Sequence, residues 1–223
     1  MNKFLVLIDG VYNPKIGGPA GYVSKLKKSC KSDEIDFCFL GQKSQPKNIL
    51  LKIFDYIFLK RKFNLTFSQL FNQSFTKEKE QILINYLNDN NYQFIHCHRV
   101  EEVVFTKTLL NKLNFEIPII STFHNPIEPS EEQFSTVEKY FGRKNAKIWQ
   151  TQLKKIEKKA IDITHSFIFP CDESIEYYYS NWKYFSDKIK FKSVHYLLTG
   201  TQNQTYSIDK QKIIDQYNIP EGS

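Results

Sequence analysis

Two histidines, His98 and His124, are the strongest candidates for chemistry in this sequence, because each follows directly on a short apolar segment. An imidazole can donate or accept a hydrogen bond near neutral pH, and it can stabilise charge on a neighbouring group. The residues around them predict a strand, a helix and a second strand over 93–97, 100–113 and 118–122. Each histidine is therefore predicted at the carboxyl end of a strand.

The predicted helix gives this connection about a dozen residues, which is the length that a crossover between two parallel strands needs. Parallel sheets are covered by helices, and their ligands bind beyond the carboxyl ends of the strands. A lone histidine there is more often structural than functional. The functional hypothesis rests on there being two, one followed by Arg99 and the other by Asn125.

Metal and disulfide chemistry are not predicted. His96 and Cys97 lie inside the first of these strands and are interpreted as core positions, since a zinc site would need further ligands at a spacing that the sequence lacks. The four cysteines are scattered, with no CxxC pair. This distribution favours buried thiols in a reducing compartment.

Charge narrows the classes of partner without choosing one. The chain of 223 residues carries 31 Lys and Arg against 24 Asp and Glu, a formal net charge of +7. Such a balance suits phosphate-bearing ligands, anionic membranes or nucleic acid, but no RNP, helix-turn-helix or zinc-finger pattern supports nucleic acid. No signal peptide and no apolar run near the roughly 20 residues of a membrane span is present. We expect a cytoplasmic protein, free or peripheral at the inner face of the membrane.

The amino-terminal segment predicts the start of a doubly wound α/β domain, with a mostly parallel sheet and helices on both faces. An apolar strand over 4–8 is followed by Gly17 and Gly18 and then by a helix over 20–30. Glycines at this place either let a phosphate or sugar approach backbone N–H groups at the helix terminus or supply the positive φ of a turn. They follow the strand too late for the dinucleotide fingerprint, so an NAD enzyme is disfavoured.

The remaining segments continue the alternation of strands and helices. The segment 47–63 is a basic amphipathic helix, which either covers the core like most such helices or docks on an anionic membrane. Further predicted strands cover 35–40, 163–170 and 193–198, and further predicted helices cover 76–89 and 172–178. A loop is predicted over 125–133. It is followed by one long helix that ends near 160 and whose lysines are predicted to lie on a solvated face.

Six short motifs follow one another in a characteristic order: Gly17-Gly18, 95–98, 117–124, 157–166, 198–202 and 210–220. In this order they resemble the amino-terminal, acceptor-side Rossmann-like domain of retaining, nucleotide-sugar-dependent glycosyltransferases of the two-domain GT-B architecture, in particular family 4. Thr199 and Gln202 depart from the Asn and Asp that are usual in the family's interdomain turn.

The resemblance implies transfer of a sugar from a nucleotide-diphosphate sugar to a polysaccharide, glycolipid or glycoprotein acceptor, without a metal or other cofactor. It implies that His124 is catalytic and lies beside the transferred sugar, and that His98 lines the acceptor side. Gly17 and Gly18 would approach the donor phosphates or the acceptor. Arg99 and Asn125 complete the predicted substrate-binding set.

The resemblance also predicts a division of the chain into an acceptor-side domain (1–198) and an interdomain linker with the start of a second domain (199–223). In the family the second domain holds the diphosphate, whose departure needs fixed cations and dipoles. We therefore expect this chain to be inactive without a C-terminal domain or a partner chain. The alternative is a noncatalytic Rossmann-like module that binds a sugar, a nucleotide or a protein.

Overall fold

A computed structural model of the chain describes residues 3–15, 17–41, 75–124, 127–169 and 171–196. Strands and helices alternate throughout, which confirms the predicted α/β class. The strands are β1 (Lys3–Ile8), β2 (Ile35–Phe39), β3 (Tyr92–Cys97), β4 (Ile119–Thr122), β5 (Ser166–Phe169) and β6 (Ser193–Tyr196). The helices are α1 (Gly18–Ser29), α2 (Lys77–Asp89), α3 (Val100–Leu113), α4 (Pro129–Phe141), α5 (Arg143–Ile163), α6 (Glu173–Asn181) and α7 (Lys183–Ile189).

The described strands form one six-stranded sheet with the order β2-β1-β3-β4-β5-β6, and every pair is parallel. Leu7 of β1 is aligned with Cys38 on one side and with Cys97 on the other. The chain moves in one direction from β1 to β2 and in the other from β3 to β6, so the strand order reverses beside β1. In doubly wound sheets this reversal opens the crevice in which ligands bind.

The helices cover both faces of the sheet. Successive side chains of a strand point to opposite faces. Leu5 and Leu7 of β1 belong to a large core with residues of α2, α3, α5, α6 and α7, whereas Val6 and Ile8 pack with Val23 of α1. Helix α1 therefore lies on the opposite face from these five helices. This arrangement confirms the predicted doubly wound, Rossmann-like fold.

Several predicted boundaries were wrong, for local reasons. The predicted loop over 125–133 gives way to helix α4 from Pro129, where the fixed φ of proline suits the first turn. The single long helix is divided at Gly142, whose φ of +80° ends α4 before α5 begins. Helix α5 then continues to Ile163, so the next strand starts at Ser166 and not at 163. Helix α7 was not predicted.

Some of the sequence predictions concern residues outside the described ranges. These are the basic segment 47–63, the domain boundary at 198/199, the motifs at 198–202 and 210–220, and Asn125. None of the helices in the described part of the chain has the length and apolarity needed to cross a bilayer.

Candidate functional site

His98 and His124 lie side by side just beyond β3 and β4, as the predicted strand ends require. Nδ1 of His98 and Nε2 of His124 are 2.8 Å apart, a hydrogen-bond distance. The two rings are stacked, with centroids 5.1 Å apart and an angle of 23° between their planes. The structure therefore brings the two candidate histidines into direct contact. Their role in binding or catalysis remains a prediction.

A second side-chain hydrogen bond joins β3 and β4, two residues before the bond between His98 and His124 in each strand. Nε2 of His96 lies 2.6 Å from the hydroxyl oxygen of Thr122. The register of β3 and β4 aligns His96 with Ile120, so the bond reaches two residues further along β4. The same separation of 26 residues joins His98 to His124. These side chains form a ladder that continues the pairing of β3 and β4 past their ends.

The ring of His96 lies against that of His98, with their centroids 4.3 Å apart. His96 is thus a hydrogen-bonded residue within the sheet, consistent with its interpretation as a core position. Among the residues that the structure describes, no group of three or more His, Cys, Asp or Glu side chains has an arrangement that could hold a metal ion.

Helix α1 approaches the histidine pair through Tyr22. The centroid of its ring is 5.8 Å from that of His98 and 5.2 Å from that of His124. Tyr22 stands four residues after Gly18, so the start of α1 is about 6 Å further along the helix axis. The first turn of α1 carries no acidic residue that would oppose an anion there.

Gly17 and Gly18 open helix α1 in exposed positions. A Cβ added to either would meet no atom of the described residues within 4 Å. The φ of Gly18 is +68°, which fits the interpretation as a turn that needs a left-handed residue. Approach of a ligand to this backbone remains a prediction.

Two other glycines shape the crevice, and the sequence analysis missed both. A Cβ on Gly41 would lie 2.5 Å from the carbonyl carbon of Gly10, and a Cβ on Gly10 would lie 2.6 Å from the Cβ of Ala20. The N–H of Gly41 donates to the carbonyl of Gly10 at 3.0 Å. Glycine at both positions thus lets the ends of β1 and β2 and the first turn of α1 pack together.

A buried carboxylate crosses the point where the strand order reverses. Glu102 of α3 is 0% exposed. One of its oxygens accepts the backbone N–H of Asp9, just after β1, at 2.7 Å, and the other accepts that of His98, just after β3, at 2.9 Å. Burial raises the pKa of Glu102 to about 8. The sequence analysis missed this residue, although a charged residue beside the apolar Val103 and Val104 of a helix was a signal.

The three clustered histidines are held in the neutral form at pH 7. Burial lowers the pKa of His96 and of His124 to about 4, and it lowers the pKa of His98 well below its ordinary value. His98 is 2% exposed, and its Nε2 is a buried nitrogen that has no hydrogen-bond partner in the described part of the chain. The pair thus offers uncharged donors and acceptors.

The chain after His124 is anchored to the helical layer. The hydroxyl of Tyr178 donates to the carbonyl of Ile127 at 3.0 Å. The buried carboxylate of Glu157 accepts both the N–H of Ser130 at 2.5 Å and its hydroxyl at 3.0 Å. Burial raises the pKa of Glu157 to about 7. These bonds hold Ile127 and Ser130, at the start of helix α4, against α5 and α6.

Arg99, the remaining predicted binding residue, is exposed at the N-cap position of α3. Its charge acts on the buried carboxylate of Glu102 and lowers the pKa of that group against the larger effect of burial. Arg99 therefore lies at the exposed start of α3, one residue after His98, and its contact with a ligand remains a prediction.

No protein-family model matches this sequence, and no curated protein matches it. The assignment of a function therefore depends on the site itself. Its parts are two neutral imidazoles in contact, a tyrosine from α1, and the open, uncharged first turn of that helix.

Proposed function

We propose that this chain is the acceptor-side domain of a glycosyltransferase, which moves a sugar from a nucleotide-diphosphate sugar to a polysaccharide, glycolipid or glycoprotein acceptor. The observation that carries the proposal is the contact between His98 and His124 at the carboxyl ends of β3 and β4, beside the start of α1. The proposal also draws on the resemblance of the motifs to such domains.

The chemistry of the crevice suits a polar ligand with few charges near the histidines. Neutral imidazoles and a tyrosine hydroxyl can each donate or accept a hydrogen bond, as sugar hydroxyls can. The positive end of α1, free of acidic residues in its first turn, would accommodate a phosphate. In this assignment His124 lies beside the reacting sugar, and Gly17 and Gly18 approach a phosphate or the acceptor.

The proposed reaction needs more than this crevice supplies. When the bond between the sugar and the phosphate oxygen breaks, the diphosphate leaves with the electron pair and must be stabilised by cations or dipoles. We assign that task to a C-terminal domain or a partner chain. The role of the present chain is to bind and orient the acceptor and the sugar.

The proposal can be tested by titrating the chain with nucleotide sugars, the corresponding nucleotide diphosphates and free sugars, while the histidine side-chain signals are followed by NMR. The chain contains five histidines. Signals of His98 and His124 should move with the nucleotide sugar, and His124→Gln should weaken binding. His165→Asn is a matched control, because His165 directly precedes β5 and lies at the amino ends of the strands, away from His98 and His124.

Two results would argue against a transferase. Binding of a free sugar or nucleotide alone, with no turnover in the complete protein, would favour the noncatalytic Rossmann-like binding module. Movement of the signals of His165 and not of His124 would place the ligand elsewhere.

We further propose that the protein is cytoplasmic and peripheral at the inner face of the membrane. The proposal rests on the composition of the basic segment 47–63. Lysines near an anionic surface contribute roughly 1 kcal/mol each, and salt screens the effect. Sedimentation with anionic vesicles should therefore fall with added salt and after replacement of Lys60, Arg61 and Lys62 by serine. Absence of binding at low salt would refute this location.

A further inference from the structure

The hydrogen bond between His98 and His124 constrains where their protons lie. Each neutral imidazole carries one N–H and one bare nitrogen. Nδ1 of His98 and Nε2 of His124 are 2.8 Å apart. One of these nitrogens therefore carries a proton and donates the hydrogen bond, and the other is bare and accepts the hydrogen bond. Two arrangements satisfy this rule, and they differ in which histidine is the donor.

The surroundings of His98 distinguish the two arrangements. If His124 were the donor, the proton of His98 would lie on its Nε2, which is buried and has no hydrogen-bond partner among the described residues. An unpaired buried N–H is rarer in proteins than an under-satisfied acceptor, and it bears the full cost of lost hydration. If His98 donates from Nδ1, its Nε2 is only a bare lone pair.

We propose that His98 is a positioning residue whose Nδ1–H donates to Nε2 of His124 and thereby holds His124 with its proton on Nδ1. The inference rests on the proposed function for its consequence, but not for its geometry. His98 is itself fixed through its backbone N–H by Glu102, and its ring lies against His96. The ring that orients His124 is thus held from two sides.

The consequence concerns the group that His124 can recognise. Its Nε2 is occupied, while its Nδ1 has no partner within the described residues and its ring is half-buried. The free edge of His124 is then a donor and not a base. The ligand atom that it contacts must be an acceptor oxygen, such as a hydroxyl, ring or phosphate oxygen of the donor sugar.

The test is the protonation of the ring nitrogens in the ligand-free chain, measured by long-range ¹H–¹⁵N correlation NMR on histidine-labelled protein. His124 should carry its proton on Nδ1, with Nε2 bare, and His98 should carry its proton on Nδ1. A proton on Nε2 of His124 would overturn the proposal.

Substitutions at His98 separate positioning from simple packing. His98→Asn should preserve the state of His124, because its amide nitrogen is attached at the same place as Nδ1 and can donate. His98→Asp can only accept when ionised, so it should move the proton of His124 to Nε2. His98→Leu should leave a mixture of both forms. If the proton of His124 stays on Nδ1 in both the His98→Asp and the His98→Leu variants, the positioning role of His98 is refuted. If His98→Leu does not fold, the comparison of His98→Asn with His98→Asp tests the role by itself.

Binding of the nucleotide sugar gives an independent measurement. His98→Asn should retain the affinity of the wild-type chain, and His98→Asp should lose about tenfold, the scale of one hydrogen bond. If the ligand-free chain shows the predicted proton positions but the complete protein binds no nucleotide sugar, the proposed function fails while the positioning role stands. If the ligand binds and the proton of His124 lies on Nε2, the positioning role fails alone.

Discussion

The side-chain carboxyl group of Glu102 accepts the backbone N–H of His98 at 2.9 Å. The other oxygen of Glu102 accepts the N–H of Asp9, 93 residues away in the sequence. One buried side chain thus joins the ends of β1 and β3. The position of His98, and through it of His124, depends on this bond.

Replacement of Glu102 by alanine should lower the free energy of unfolding by about 3 kcal/mol or more, because two buried N–H groups lose their acceptor at about 1–3 kcal/mol each. Glu102→Gln keeps one acceptor oxygen and should cost less. Urea unfolding measures both. The neighbouring Glu101→Ala is the control, with an expected cost under about 1 kcal/mol, and equal losses at the two positions would contradict this account.

The signals of His96, His98 and His124 should not titrate between pH 8 and pH 5, because burial keeps their pKa values below the ordinary range. Because the pKa of each of these histidines is lower in the folded than in the unfolded state, folding favours the neutral ring. The contribution of this difference to the free energy of unfolding is fully present at neutral pH. That contribution is lost as the pH falls from about 6.5 towards 4. Ring-proton NMR measures the titration directly. A midpoint near 6.5 for His124 would show that its ring is hydrated, contrary to the structure.

Glu157→Gln should gain stability relative to the wild type as the pH rises from 5 to 8. The folded pKa of Glu157 is raised to about 7, so its neutral form favours folding below the ordinary value of 4.5 and this advantage is lost as the pH rises through 7. The shift corresponds to a change on the order of 3 kcal/mol. Urea unfolding at both pH values tests this, with the exposed Glu176→Gln as control. A difference between Glu157→Gln and the wild type that stays constant with pH would rule it out.

Under the proposed function, His124→Gln should reduce the turnover of the complete protein by on the order of 100-fold, the usual scale for a positioned polar group at a reacting centre. The glutamine amide can replace Nε2 as the partner of His98, so the fold should be retained. His124→Ala removes that partner from a buried nitrogen and should also cost about 1–3 kcal/mol of stability. Enzyme assays and thermal unfolding separate the two effects. Full activity in His124→Gln would show that the histidine is structural.

The α/β class and the location of both histidines could be predicted from the sequence, because these depend on short-range patterns. Apolar runs of strand length alternate with helical spacing, and a crossover of a dozen residues permits only parallel strands. A residue just beyond each strand must then lie at the carboxyl edge of the sheet. The location of His98 and His124 could therefore be predicted from the sequence. Their contact required in addition that β3 and β4 be neighbours in the sheet.

The contacts that hold the residues at that edge are visible only in the folded chain. Glu102 bonds to Asp9, 93 residues away in the sequence, and the ring of Tyr22 lies near the rings of His98 and His124. Gly10 and Gly41 lie where segments distant in the chain pack too closely for a Cβ atom. No periodicity encodes such contacts, since each depends on segments that are distant in the chain. The neutral state of the histidines has the same origin, because a pKa is set by the burial that neighbouring elements impose.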